Sequence, residues 1–504
     1  MMRSDPLASG LDRTALLRVH RSDDVAIALR PLEVEEQLEI EGQVLTVQQP
    51  VPVGHKLALR PLQRGAEVRK FGWPIGRMTA DAIPGEHVHS HNLATLLEDI
   101  EAYRYTPIAP EPLPPTSAVF QGYRRGDGPV GTRNEIWILP TVGCVARTAG
   151  RIAEIARARH AGAVDGIHAF SHPFGCSQLG DDLAGTRSLL AALASHPNAG
   201  GVLLIGLGCE SNQLDALLAE IPLHARSRVR SVLAQSSGDE VADGLAAIDA
   251  LVANARLACR TEVSIGELVV GLKCGGSDGF SGLTANPLVG RIADFVNGAG
   301  GSTILSEIPE VFGAERGLMA RARDRHVFEG IVAVVNDFKR HFLDHGQPIS
   351  ENPSPGNIAG GITTLEEKSL GAVQKSGGAA VADVLRYGQM VRRKGLTLLE
   401  APGNDAISST ALAAAGATVI LFTTGRGTPL GTAVPTLKIA SNSSLAARKP
   451  GWIDFDAGQV LHSGVDVVAA DLLTKLTAVA SGEQTASERN DEREIAIWKR
   501  GITL

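Results

Sequence analysis

The sequence predicts an α/β protein: a small β-rich module followed by a larger doubly wound body. Three observations carry this. Through residue 92, short apolar segments are broken by Gly and Pro at close intervals, which is the texture of strands and turns. Five prolines then fall in the nine residues from Pro107 through Pro115, a stiff extended segment suited to linking domains. From about residue 120 onward, apolar runs alternate with helix-length segments, the order of a parallel sheet with crossover helices.

Taken in order, residues 1–103 form the module, with strands expected at 25–29, 43–47 and 57–59 and a short helix at 93–103. Residues 104–119 are the linker. In the body, strands are expected at 136–140, 201–206, 268–272, 302–305, 396–400 and 419–423. Each runs into a polar turn, nearly all with Gly, such as Thr141-Val142-Gly143-Cys144, the turn at 207–213, and Lys273-Cys274-Gly275-Gly276-Ser277-Asp278-Gly279. In open α/β sheets ligands bind beyond the carboxyl ends of the strands. The body is expected to divide into 120–390 and 391–504, and the charge run from Glu488 to Glu494 reads as a solvated helix face.

Composition excludes several functions. Hydrophobic residues at 44% and charged residues at 20% of 504 residues support sizeable cores and argue against disorder. A net charge of -7, no basic patch and only 4% aromatic residues leave no footprint for nucleic acid. No apolar run reaches about 18 residues, so no membrane span is expected. The polar, acidic start does not read as a secretory signal. Five cysteines without a C-x-x-C pair point to free thiols in a reducing cytoplasm. No phosphate-loop or dinucleotide fingerprint follows a strand, and no G-x-S-x-G elbow is present, so a redox enzyme and a Ser hydrolase lack their motifs.

The residues that could carry chemistry fall in clusters. His87, His89 and His91 have i, i+2 spacing, which on an extended strand places three imidazoles on one face; two of them with His55 could grip a divalent metal. Cys144, Cys209 and Cys274 sit at or just after strand ends and Cys176 lies in a tight loop; they are candidate soft ligands, nucleophiles or pocket lining. Cys259, in a helix-like stretch, reads as a small buried hydrophobe. Asp278, Glu307, Glu310 and Asp405 are acid/base or metal-ligand candidates, or helix caps. The Gly-rich turn at 273–279 can cradle a phosphate or a carboxylate.

At these residues the chain resembles the altronate/galactarate dehydratase family of sugar-acid dehydratases, over nearly its whole length. Gly54-His55-Lys56 and Gly85-Glu86-His87-Val88-His89-Ser90-His91-Asn92 resemble that family's SAF-type β-clip module. The body matches through Gly131-Thr132-Arg133-Asn134, Pro140-Thr141-Val142-Gly143-Cys144, His172-Pro173-Phe174-Gly175-Cys176 and Gly206-Leu207-Gly208-Cys209-Glu210. Further matches are the stretch from Gly271 to Asp278, Glu307-Ile308-Pro309-Glu310, Asn352-Pro353-Ser354-Pro355-Gly356-Asn357 and the run from Gly361 to Gly371.

The resemblance implies a SAF-type module ahead of a Rossmann-like doubly wound body in two lobes. It implies a hydro-lyase acting on a 2,3-dihydroxy sugar acid: D-altronate first, giving 2-dehydro-3-deoxy-D-gluconate, with galactarate or another aldonate or aldarate as the alternative. A sulfo-lyase is a further alternative, but related sulfo-lyases split the two parts into separate chains. A non-catalytic sugar-acid binder is the remaining rival. The implied cofactor is a divalent metal, Fe2+ first and Mn2+ second. The implied partner is the small sugar acid alone, without nucleic acid or membrane, and the commonest soluble assembly is a homodimer. On this reading His55, His87 and His89 hold the metal. His55, Lys56, His172, Lys273 and Glu307 are the catalytic candidates. Cys144, Cys176, Glu210, Gly275, Asp278, Asn357, Thr363, Thr364, Glu366 and Lys368 line the substrate site. Were the metal to sit wholly in the body, the cysteines and carboxylates would be its ligands, and the sequence leaves that choice open.

Overall fold

A computed structural model of the chain describes residues 14–126 and 128–504. The N-terminal part is built from short antiparallel strands. Four make one sheet in the order Leu16–Leu17, Val25–Ala28, Lys56–Ala58, His87–Val88. The hairpin of Gln37–Ile40 with Gln43–Thr46, and a three-stranded sheet of Glu67–Lys70, Trp73–Met78 and Leu93–Ala94, flank it. The strands are two to six residues long because turns at Gly42, Gly54, Gly72 and Gly85, all with positive φ, cut them off. Two small cores, one around Ala26, Leu38, Leu45 and Leu57 and one around Val25, Val68, Ile75 and Val88, fill the module.

The short helix expected at 93–103 does not form. Leu93–Ala94 is a strand, and no helix or strand follows until Val119–Arg124. Tertiary contacts outweigh local propensity there: the Glu366 carboxylate accepts from the Thr95 hydroxyl and the Leu96 amide, and Leu97, Tyr103, Tyr105 and Leu113 pack on the main core of the body.

The body contains two parallel sheets. Four strands run in the order Gly166–Ala169, Glu135–Pro140, Ala199–Gly206, Val229–Leu233. Seven run in the order Val381–Leu385, Gly395–Leu399, Ser302–Leu305, Val269–Cys274, Val419–Thr424, Thr436–Ala440, Phe455–Asp456. The boundary expected at 390/391 falls between Val381–Leu385 and Gly395–Leu399, which pair with each other. The larger sheet is therefore continuous across that point, and the change of sheet lies after Glu240–Ala255, where Thr261–Ser264 pairs with Val119–Arg124.

Uninterrupted apolar strands result from burial on both faces. Val419 and Leu421 enter one core with Leu288, Ile331 and Leu472, while Ile420 and Phe422 enter another. That second core also holds Trp137, Leu139, Val202 and Leu204 of the four-stranded sheet, so one apolar interior joins the two sheets.

Two further expectations are corrected. The run from Glu488 to Glu494 is a solvated face only in part: Arg489, Asn490, Asp491 and Glu494 are exposed, whereas Arg493 pairs with Glu135 and Glu488 with Arg133, all four of these paired side chains at most 5% exposed. Ion pairing brought by the fold buries charges that local composition places outside. Cys259 is exposed, in a loop beyond Glu240–Ala255, and is not a core residue. No helix among the described residues is long and apolar enough to cross a membrane.

Candidate active site

The module meets the body at the turn Gly54-His55. A side-chain carbon at Gly279 would lie 2.1 Å from the Gly54 carbonyl oxygen, and one at Gly361 2.4 Å from it. Both positions must be glycine for this approach. The Gly279 amide also donates to the Gly360 carbonyl at 2.7 Å.

That seating places three histidines together. In the antiparallel pair of Lys56–Ala58 with His87–Val88, Leu57 lies opposite His87. Carried two residues on, the same register sets His55 opposite His89 on the face that holds His87. The ring centroids lie 5.2, 4.7 and 5.3 Å apart, and one nitrogen of each ring falls within 4.8 Å of the others. His91 sits in the following turn beside His87 and is not part of this group.

The second nitrogens of His55 and His89 are occupied. His55 Nε2 faces the Ala359 carbonyl at 3.5 Å and His89 Nδ1 faces Thr363 Oγ1 at 3.0 Å. A ring that donates one N–H in this way offers its other nitrogen as a lone pair. His55 Nδ1 and His87 Nε2 lie 3.1 Å apart, where a cation could replace the shared proton. Burial, and then the neighbouring positive groups, depress these imidazoles, His87 to about 3 and His89 to about 4; burial likewise lowers His55. Three neutral imidazoles are a ligand set for a transition metal.

Behind them lies a buried ionic bridge. Glu367 on the helix Leu365–Ala372 accepts from Lys56 at 2.9 Å and Lys70 at 2.7 Å, both from the module. Lys56 also donates to Thr363 Oγ1 at 2.6 Å and to the Gly361 carbonyl. Burial lowers Lys56 to about 8. Burial opposes the charge of Glu367, yet the two ammonium groups outweigh it and hold the carboxyl at about 2.

A second cluster lies at the carboxyl ends of Val269–Cys274 and Ser302–Leu305. Lys273 is fully buried, bonded to Glu307 and, at 2.8 Å, to Asp405. Cys274 donates to Glu310 at 2.9 Å, Lys368 pairs with Glu310 at 2.9 Å, and Lys375 approaches Glu307 at 3.9 Å. Cys274, Glu307 and Glu310 also converge within ligand distance. Three carboxylates here face three ammonium groups, so the negative charge is already compensated, and burial beside the carboxylates pushes the Cys274 thiol up to about 12. Burial opposes the charge of Glu310, but Lys368 and the other lysines hold it at about 2.

This cluster opens into a groove of about 1050 Å³ lined by Gly275, Glu310, Asn357, Lys368, Asn404 and Asp405 on its polar part and by Phe338, Phe342 and Trp498 on its apolar part. Lys368 is oriented by the amide oxygens of Asn352 and Asn357 at 2.9 and 3.1 Å. Asp405 opens the helix Asp405–Ala414 and is about one-third exposed; Oδ1 accepts from Lys273, and Oδ2 has no donor among the described residues. The turn 357–363 serves both clusters: Asn357 and Ile358 line the groove, while Ala359 and Thr363 reach the histidines.

The remaining sequence candidates fall elsewhere. Asp278 is buried and held by Ser281, Ser441 and Asn442. Thr364 caps Leu365–Ala372 and donates to the Ile75 carbonyl, and Glu366 grips Thr95 and Leu96, so both fasten the module. Cys144, His172, Cys176 and Glu210 stand at the carboxyl end of the four-stranded sheet and do not line the groove. Lys70, Glu367 and Lys375 were not among the candidates. Nothing local marks Lys70 and Lys375, whereas the acidic pair Glu366-Glu367 at a helix start was a signal read only for its first member.

Comparison with known proteins matches the whole layout. Residues 14–96 match the altronate/galactarate dehydratase SAF domain, 122–256 the D-galactarate dehydratase/altronate hydrolase second domain, and 265–503 the D-galactarate/altronate dehydratase C-terminal domain. The chain is 49% identical over 492 residues to an altronate dehydratase of Escherichia coli (strain K12), covering 97% of this chain and 99% of that one. It is 46% identical over 495 residues to an altronate dehydratase of Bacillus subtilis (strain 168), covering 97% and 100%. Against the galactarate dehydratase (L-threo-forming) of Escherichia coli (strain K12) the identity is 33% over 490 residues, 93% of each.

Proposed function

This chain belongs to the D-galactarate/altronate dehydratase family, and we propose that it is a hydro-lyase converting D-altronate to 2-dehydro-3-deoxy-D-gluconate and water. The carrying observation is the 49% identity to an altronate dehydratase along 97% of the chain, against 33% to a galactarate dehydratase. Both parallel sheets, covered by apolar cores on each face, are read as Rossmann-like doubly wound lobes.

The chemistry sets the requirements. The C2 proton lies beside an ionised carboxylate, so its removal creates a dianionic enolate that needs positive charge fixed in advance. Fit favours one place for a divalent metal. The converging neutral imidazoles of His55, His87 and His89 suit it, whereas the Cys274, Glu307 and Glu310 group is already neutralised by lysines. Imidazole donors suit Fe2+ among several first-row ions; the order Fe2+ first and Mn2+ second is what the family resemblance implies. An ion held by these histidines would supply positive charge for the developing enolate; the turn 357–363 is what connects the histidines, which are not among the groove's lining residues, to the groove.

The protein's own groups do the rest. Asp405, whose Oδ2 has no donor among the described residues, takes the C2 proton. Lys368, a cation held by Glu310, Asn352 and Asn357, gives its proton to the departing C3 hydroxyl. Asn404 supplies hydrogen bonds for the polyol, while Asn357, already bonded to Ser277, Ser354 and Lys368, orients the Lys368 ammonium. The enol released by elimination becomes the 2-keto acid by moving a proton to C3. Free thiols among the described cysteines fit a reducing cytoplasm. The test is product analysis of the metal-loaded protein with a panel of six-carbon aldonates and aldarates. Formation of the 2-keto-3-deoxy acid from D-altronate ahead of galactarate supports the reading; no turnover of D-altronate refutes it.

A further inference from the structure

Three Gly-Cys dipeptides stand outside the groove and the histidine cluster: Gly143-Cys144, Gly175-Cys176 and Gly208-Cys209. Neither Cys259 nor Cys274 follows a glycine. Cys144 and Cys209 come just after Glu135–Pro140 and Ala199–Gly206, and Cys176 comes in the loop after Gly166–Ala169. These are three adjacent strands of one parallel sheet, so their carboxyl ends share an edge.

The three loops are bound to one another. The Gly143 amide donates to the Phe174 carbonyl, and the Asn212 amide to the Gly175 carbonyl, each at 2.9 Å. The Ser177 amide donates to Ser211 Oγ at 3.1 Å, and Asn212 Nδ2 to the Thr141 carbonyl at 3.1 Å. Glu210 ties its own turn through the amides of Leu207 and Gly208 and accepts the Thr141 hydroxyl. His172 fixes its loop by a ring N–H donated to the Pro140 carbonyl at 2.8 Å. A side-chain carbon at Gly175 would lie 2.1 Å from the Thr141 carbonyl oxygen, and one at Gly143 3.0 Å from Pro173 Cα. The glycines allow the loops to close together, and His172 and Glu210 hold them so.

All three thiols remain exposed at that edge, and two have polar neighbours. Gln235 Nε2 donates to Cys209 Sγ at 3.5 Å, and Ser177 Oγ lies 3.6 Å from Cys176 Sγ. Hydrogen bonds to sulfur are how proteins tune thiolate-bound centres. Three soft ligands select thiophilic metals, and three rather than four protein ligands leave one position open.

We infer that Cys144, Cys176 and Cys209 together hold an iron–sulfur cluster with one coordination position open to solvent. This centre is separate from the imidazole cluster, and the inference does not rest on the function proposed above.

The protein, reconstituted anaerobically with a mixture of ferric and ferrous iron and sulfide, is expected to gain a visible charge-transfer absorption with bound iron and acid-labile sulfide. In that state Cys144, Cys176 and Cys209 resist alkylation while Cys259 reacts. The combined Cys144→Ser, Cys176→Ser, Cys209→Ser variant loses chromophore and sulfide; Cys259→Ser and His87→Ala retain both. Circular dichroism of the triple variant checks its fold, and alkylation of the unsubstituted protein gives an answer that requires no folded variant. Absence of a chromophore, equal sulfide in the triple variant, alkylation of all three thiols after reconstitution, or retention of zinc alone would each overturn the inference.

Discussion

Replacing Glu367 with glutamine should undock the module from the body. The Glu367 carboxylate is 1% exposed and is the common acceptor for Lys56 and Lys70, themselves 0% and 2% exposed. Its fall from 4.5 to about 2 corresponds to about 3 kcal/mol of preference for the charged form in the fold. Leaving buried charges without their partner costs about 3–5 kcal/mol in comparable cases. The two figures agree, and a loss of about 3–5 kcal/mol is expected from denaturant titration followed by circular dichroism. Both lysines belong to the module and the glutamate to the body, so the weakness should surface at their junction. Limited proteolysis should cut within 95–118 at a protease level that leaves the parent intact. Replacing all three residues by apolar ones, Lys56→Met, Lys70→Met and Glu367→Leu, should recover much of the loss, because no buried charge is then left alone. A change below about 0.5 kcal/mol with unaltered proteolysis in Glu367→Gln would refute the reasoning. A triple variant no better than the single one would do the same.

Other outcomes follow from the same geometry. His87→Ala should lower bound divalent metal, measured by elemental analysis after dialysis, while His91→Ala should not, since only His87 has a converging nitrogen. Asp405→Asn should cut turnover of D-altronate roughly 10²–10⁴-fold and abolish exchange of the C2 hydrogen with solvent; melting should fall because buried Lys273 loses one of its two carboxylate partners, with Glu307 left to hold it, and full activity would remove Asp405 as the base. Glu135 is held at about 2 against burial, chiefly by Arg493. Its folded value is depressed, so its contribution of about 3 kcal/mol is complete above 4.5 and is lost as pH falls toward 2. Acid unfolding monitored by tryptophan fluorescence should therefore shift to higher pH in Arg493→Met, and an unchanged midpoint would contradict the pairing.

The long apolar strands were legible because a strand covered on both faces must be continuously apolar. Residues 302–305 were read as a strand and Ser302–Leu305 is one. Thr436–Ala440 and Val381–Leu385 were not, since Lys438 and Asp383 interrupt their apolar pattern, and only the finished fold buries those groups. The histidine cluster was half visible. Alternation grouped His87 with His89, and the register of a distant strand brings His55 across from them. The ion pairs of Arg493 and Glu488 join residues more than 350 positions apart, a relation that no local window contains. Lys56 and Lys273 were singled out as groups acting on substrate, but burial behind Thr363 and Asp405 gives them the task of holding other side chains.

The central claim is that this protein expels water from D-altronate with the help of a divalent ion held by His55, His87 and His89. The most direct measurement compares formation of 2-dehydro-3-deoxy-D-gluconate by the iron-loaded protein, by the same sample after chelation, and after iron is returned. The account predicts turnover, its loss and its recovery, with no recovery in His87→Ala. An undiminished rate after chelation, or an inert loaded enzyme, would contradict it.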